Sequence, residues 1–304
     1  MRQCRRRLHA LVLAVLGSIV LLPRAAHAWN APAIPPCAGL RWIVNVGSLR
    51  QAQQTFALAE QQRVFDSRCT FLVTGSAVPA DYRAWSVVRT RSSPSLAGVR
   101  RIARSPRVTA VLYDPESWAM TPSAEQLDPL AAVCHAAALV HAHRKLLIAT
   151  PAVDLVRRVD REAAQRDHRY RAFERTGWIG AMAKCADIVE IQAQGAEANL
   201  ALFRWFVDAE AQQARTANPH VLVLAGISTN PDGRRVSAQQ LIEAVRAVRH
   251  AVNGFWLNIP AGGRYCPRCG KPQPQVALRL LQTLATTATR AHAGGQHRSP
   301  SGQP

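Results

Sequence analysis

Acidic side chains are scarce in this 304-residue chain, where 19 Asp and Glu stand against 38 Lys and Arg and leave a formal charge of +19. Long hydrophobic runs are missing beyond the first 22 residues, so no later segment reaches the roughly 20 apolar residues of a membrane-crossing helix. A glycine-rich phosphate loop is also missing. Val46-Gly47-Ser48, after the first strand-like run, lacks the GxGxxG form that a doubly wound nucleotide-binding sheet requires. No GxSxG elbow occurs, and Thr74-Gly75-Ser76 is an ordinary loop, which disfavours an α/β-type serine hydrolase. Cys266-Pro-Arg-Cys269 has neither a second CxxC nor an HxxxH to complete a zinc site. It lies among Gly and Pro rather than at the start of a helix, so a local loop-closing disulfide is expected in place of a redox pair. His141 and His143 are two residues apart and do not share a helix face as a metal-binding HxxxH pair would. No metal and no cofactor are expected.

What is present begins with a targeting pattern. Arg2, Arg5, Arg6 and Arg7 precede the apolar run Leu8 to Leu22, and Ala26-His27-Ala28 has the small-x-small form of a cleavage site. Residues 1–28 are therefore expected to be a signal peptide, and the protein secreted or periplasmic with no integral membrane segment once the signal is removed. Its loss leaves 33 basic against 19 acidic residues, a net charge of +14. That charge suits encounter with anionic envelope polymers. Six cysteines remain, an even number in an oxidising compartment, so disulfides are expected. The 48% apolar content excludes a disordered chain.

Eight apolar runs of strand length follow: Arg41 to Gly47, Thr70 to Thr74, Trp85 to Arg89, Val108 to Tyr113, Lys145 to Thr150, Asp187 to Gln192, Val221 to Ile227 and Gly254 to Ile259. Amphipathic stretches separate them, clearest in Ser123 to His143, Glu162 to Lys184, Asn199 to Thr216, Ser237 to Val252 and Gln275 to Leu284. Strand–helix alternation over about 250 residues predicts a single-domain (β/α)8 TIM barrel spanning 29–285. The second crossover, Ala77 to Ala84, is too short for an ordinary helix and predicts an irregular connection or a miscounted strand. Residues 286–304 read as a disordered tail.

Barrel chemistry gathers at the C-terminal ends of the strands. In Ala110-Val111-Leu112-Tyr113-Asp114-Pro115-Glu116, the period of two puts Asp114 and Glu116 on the inward face, opposite Val111 and Tyr113. Neighbouring carboxyls push one pKa upward, which lets one act as an acid while the other stays ionised. Glycoside hydrolysis needs that division. Polar residues end the other strands as well: Asn45, Thr150 with Asp154 soon after, Glu190 with Gln192, Ser228, and Trp256 with Asn258. Trp118 and Trp256 are candidate sugar-stacking residues.

The acidic pair closing the fourth strand, together with the signal and the barrel pattern, resembles the family 18 glycoside hydrolases, the chitinases and endo-N-acetylglucosaminidases with their inactive lectin-like relatives. In that family the strand ends in DxxDxDxE. The resemblance implies Glu116 as the acid and Asp114 as the residue orienting the N-acetyl group that acts as nucleophile. The earlier aspartates of that run are absent, Ala110 and Leu112 occupying the same face as Asp114, and Gln192-Ala193-Gln194 replaces a Tyr-Asp pair.

The expectation is thus an exported enzyme hydrolysing glycosidic bonds of a polysaccharide. Its expected catalytic residues are Glu116, Asp114 and Glu190, with Asp154 as another second carboxylate. Its expected binding residues are Asn45, Trp118, Thr150, Asp154, Gln192, Ser228, Trp256 and Asn258. The alternative is a non-catalytic barrel that binds a glycan or other polar ligand in the same cleft. The arginines at 157, 158, 161, 166, 169, 171 and 175 suit either polyanion binding or a solvated helix face, and no nucleic-acid-binding module accompanies them.

Overall fold

Parallel strands need a crossover between them, and the alternation in this sequence supplies one each time. In the computed structural model, β1 (Arg41–Asn45), β2 (Thr70–Thr74), β3 (Val88–Ser93), β4 (Ala110–Tyr113), β5 (Leu146–Ala149), β6 (Ile188–Ile191), β7 (Leu222–Ser228) and β8 (Gly254–Asn258) pair in chain order. All pairs are parallel, and β8 returns to β1 with Trp42 opposite Phe255, closing the sheet into a (β/α)8 barrel. The structure describes residues 32–295 apart from 76, 167, 264 and 265, and the side chains of 232 and 287–295 are also outside the description. The segment expected to be a signal peptide, residues 1–28, lies outside the described residues.

Two apolar layers follow from the period of two. Ile43, Phe71, Leu112, Ile148 and Leu224 fill the barrel interior, and Val44, Val111, Tyr113 and Val189 point out under the helices. Full burial of each such side chain is worth about 1.5–3 kcal/mol.

The expectation for the third strand needs correction. The strand occupies Val88–Ser93, not Trp85 to Arg89, and only the turn Ala80–Tyr82 lies in the connection from β2. Trp85 is buried edge-on against Tyr82, with ring centroids 4.9 Å apart, filling space that a crossover helix would cover. Arg89 points outward and donates to the carbonyls of Tyr82 (3.0 Å), Arg83 (2.5 Å) and Trp85 (3.2 Å). The connection is irregular, and no strand was miscounted.

Expected helices are interrupted where backbone chemistry requires it. Ser123 to His143 splits at Asp128 into Ser123–Leu127 and Pro129–His141, because the residue before a proline disfavours helix and Asp128 caps Ala131 N–H. Glu162 to Lys184 becomes Arg161–Arg166, His168–Arg175 and Trp178–Ala183, with left-handed backbone at His168 (φ 58°) and Gly177 (φ 65°). The last helix runs Pro274–Gly295, so helix continues into the segment expected to be a disordered tail. Alanines at 285, 288, 291 and 293 favour this extension, and residues 296–304 lie outside the description.

Disulfides join Cys37 to Cys69, Cys134 to Cys185 and Cys266 to Cys269. The last is the expected local bridge. No helix among the described residues is long and apolar enough to cross a membrane.

Candidate functional site

The backbone carries Asp114 past the end of β4 in register. Its N–H still bonds to the Ser93 carbonyl of β3 at 3.0 Å, so its side chain keeps the inward direction of Leu112 and Ala110. Two donors converge on one carboxylate oxygen: Thr150 Oγ1 at 2.9 Å and Gln192 Nε2 at 2.8 Å both reach Asp114 Oδ1. The second N–H of Gln192 bonds to the Thr150 carbonyl at 2.9 Å, which fixes the amide orientation. Burial raises the Asp114 pKa to about 6, the two hydrogen bonds oppose the rise, and the nearby Asp154 charge adds to it.

A cavity of about 380 Å³ opens at this end of the barrel, within the size range of ligand sites. Asp114, Glu116, Asp154, Gln192, Ser228, Trp256 and Asn258 all line it. Glu116 N–H donates to Thr121 Oγ1 at 3.1 Å, and Ser117 N–H donates to Asp154 Oδ1 at 3.1 Å. These bonds tie the loop after β4 to itself and to the loop after β5. Trp256 lines the cavity as a buried side chain, and its indole N–H is itself buried with no hydrogen-bond partner among the described residues.

Other expected residues stand elsewhere. Thr150 supports Asp114 from behind. Asn45 is a helix cap: its Oδ1 accepts from Ser48 N–H at 2.6 Å, and its amide reaches Asn258 Oδ1 at 3.4 Å. Trp118 does not line the cavity. Its Nε1 donates to Thr121 Oγ1 at 3.1 Å, because the chain has left the strand and the alternation no longer sets its direction. Glu190 lies one inward position below Gln192 on β6, fully buried and outside the cavity lining. Neither of its oxygens has a hydrogen-bond partner among the described residues, and burial followed by the Asp114 charge drives its pKa well above the ordinary range.

Gly226 makes room for this arrangement, since a Cβ there would collide with Glu190 and Gln194 oxygens. Gln194 Oε1 is likewise buried without a described partner. Sequence reasoning missed several contributors to the lining, among them Arg169 and Tyr170, carried by the extra helices between β5 and β6, and the bridged pair Cys266 and Cys269. The CxxC spacing marked the bridge but not its place, and no periodic signal marks Arg169 or Tyr170.

No group of three or more His, Cys, Asp or Glu among the described residues is arranged to hold a metal ion. No protein-family model and no curated protein matches the chain. In fold it is similar to a putative alpha-L-fucosidase from Bacteroides thetaiotaomicron, at 8% identity and TM-score 0.49, over 90% of this chain and 98% of that one. It is also similar to the carboxyl transferase domain of Rhizobium etli pyruvate carboxylase, at 11% identity and TM-score 0.45, over 80% of this chain and 46% of that one. The chain therefore spans less than half of that domain. A GH18 chitinase from Pseudoalteromonas aurantia is similar at 11% identity and TM-score 0.37, over 58% of this chain and 69% of that one.

Proposed function

We propose that the protein is an exported carbohydrate-active enzyme that hydrolyses glycosidic bonds of a polysaccharide in the cavity at the mouth of the barrel. One observation carries the reading: Asp114, Glu116 and Asp154 share a cavity whose remaining lining includes amide groups and a buried tryptophan. Glu116, half-buried in the cavity lining, is the general acid that protonates the leaving oxygen. Asp114 is the orienting carboxylate, held on one oxygen by Thr150 and Gln192. Asp154 takes the second-carboxylate role in place of the buried Glu190. Trp256 offers an apolar surface for a sugar ring. Export accords with three disulfides and with the basic, apolar N-terminal pattern.

Glu116→Gln tests the assignment. Turnover of a responsive polysaccharide is expected to fall by about 10²-fold or more, with an unchanged circular dichroism spectrum and melting temperature. An unchanged rate would remove Glu116 from the chemistry. The burial of Glu190 favours the second reading, a non-catalytic glycan-binding barrel, because it leaves one fewer acid in the cavity. Glycan binding without release of any product would select that reading.

A further inference from the structure

A second cavity of about 470 Å³ adjoins the first and shares Arg169, Tyr170 and Gly195 with it. Its lining also includes Arg157, His168 and Arg234, and none of its described lining residues is acidic. Arg157 is exposed and makes no hydrogen bond or ion pair with a described residue. Arg234 is tethered, its Nη2 donating to the Gly195 carbonyl at 2.8 Å, which holds the guanidinium against the wall between the two cavities. Gly195 allows that wall to be thin, since a Cβ there would press into the Tyr170 hydroxyl and the Arg169 guanidinium. His168 stacks on the Tyr170 ring with centroids 5.4 Å apart, and its φ of 58° is one that a side-chain-bearing residue rarely adopts. The His168 pKa is lowered by burial and then by the charges of Arg169, Arg157, Arg171 and Arg234, four cations that bear on this point. Glu197 is buried, and desolvation pushes it toward its neutral form against the opposing Ser228 backbone hydrogen bond and Arg234 charge.

We infer that this second cavity is an anion subsite, and that the substrate is a glycan carrying carboxylate or sulfate groups on the sugar next to the one held by Asp114 and Glu116. The inference rests on the reading of the first cavity as a glycan site and specifies the substrate class. Arginine suits the task because its planar fork binds planar and tetrahedral oxyanions through paired N–H donors. Moderate affinity is expected, since the cavity is open and the charges are partly screened by solvent.

The test uses the full chain carrying Glu116→Gln, so that binding is read without turnover. Sodium sulfate and sodium acetate are titrated while the His168 imidazole is followed by NMR. A bound anion offsets the arginine charges, so the His168 pKa is expected to rise saturably. Arg157→Gln and Arg234→Gln should each weaken binding by about 5-fold or more, whereas Arg101→Gln, on the exposed face of the distant helix Leu96–Ala103, should leave it unchanged. No saturable shift, or equal loss in the Arg101 variant, would overturn the anion site. Oligogalacturonides, sulfated dextran oligosaccharides and the neutral counterparts of each are then compared by calorimetry. Tighter binding of either acidic series, lost in Arg157→Gln, supports the substrate class and shows which anion is preferred. Equal or absent binding of acidic and neutral series, or tighter binding of single-stranded DNA, would overturn it. Failure of hydrolysis with acidic-glycan binding intact would count against the catalytic reading alone.

Discussion

Asp114 is held between opposing influences: burial and the Asp154 charge push its proton affinity up, and two donors on Oδ1 pull it down. Removing a donor therefore has a defined direction. Thr150→Val should raise the Asp114 pKa further above about 6, by roughly half a unit to one unit, read as a displacement of its side-chain carbon titration by NMR. A fall would mean that the Thr150 hydroxyl does not donate to it. The direction in which Asp114 faces was legible in the sequence because strand alternation persists to the end of β4, where the backbone still pairs with Ser93. Trp118 was not legible, since the loop beyond Pro115 obeys no period and Thr121 and Gln126 decide its place. Glu190 was legible as inward-facing, but its depth depends on the neighbouring register and on the space left by Gly226.

At the scale of elements, β3 shows how a side chain can stand in for a missing helix. Arg89 gathers three loop carbonyls, so Arg89→Met should cost about 1–3 kcal/mol in denaturant unfolding by leaving acceptors without their charged donor. A loss near zero would show that Trp85 and Tyr82 hold the connection alone. The sequence marked this strand by its apolar residues, Trp85 and Val87, while the strand itself is Val-Arg-Thr-Arg-Ser-Ser, whose alternation is carried by polar groups. The helix Leu200–Ala217 poses a different problem: Glu210 is fully buried, neither oxygen has a described partner, and desolvation followed by Glu174 raises its pKa to about 8. The native chain thus holds a proton that the unfolded chain has already lost, so stability contributed at low pH falls as pH rises from about 4.5 to about 8. Glu210→Gln should remove this slope and stabilise the protein at pH 8 by about 2–4 kcal/mol, measured by urea unfolding across that window. A slope unchanged by the substitution would place its origin elsewhere.

The whole molecule was the most legible level, because closure needs only eight strand–crossover units of suitable length and the interior layers follow from alternation. Cysteine pairing was legible only for the local Cys266–Cys269 bridge, since the other four cysteines allow three connectivities and only the fold brings Cys134 on one helix beside Cys185 just before β6. Cys37–Cys69 closes a separation of 32 residues and Cys134–Cys185 one of 51, so reduction should cost about 3–4 kcal/mol for each and lower the melting temperature, which calorimetry with and without reductant would show. An unchanged melting temperature in reductant would show that the barrel does not depend on the bridges. The basic excess proves less general than it first reads: part belongs to residues 1–28, and part is concentrated beside the cavity that Asp114, Glu116 and Asp154 line. The central claim is cleavage of a glycosidic bond at that cavity. Its most direct measurement is the count, by mass spectrometry, of new reducing ends labelled in H2¹⁸O from a panel of neutral and acidic polysaccharides, with the native chain beside Glu116→Gln. Labelled ends that accumulate with the native chain and fall by about 10²-fold or more in the variant are the predicted result; equal labelling by both chains, or none from any polysaccharide, would contradict it.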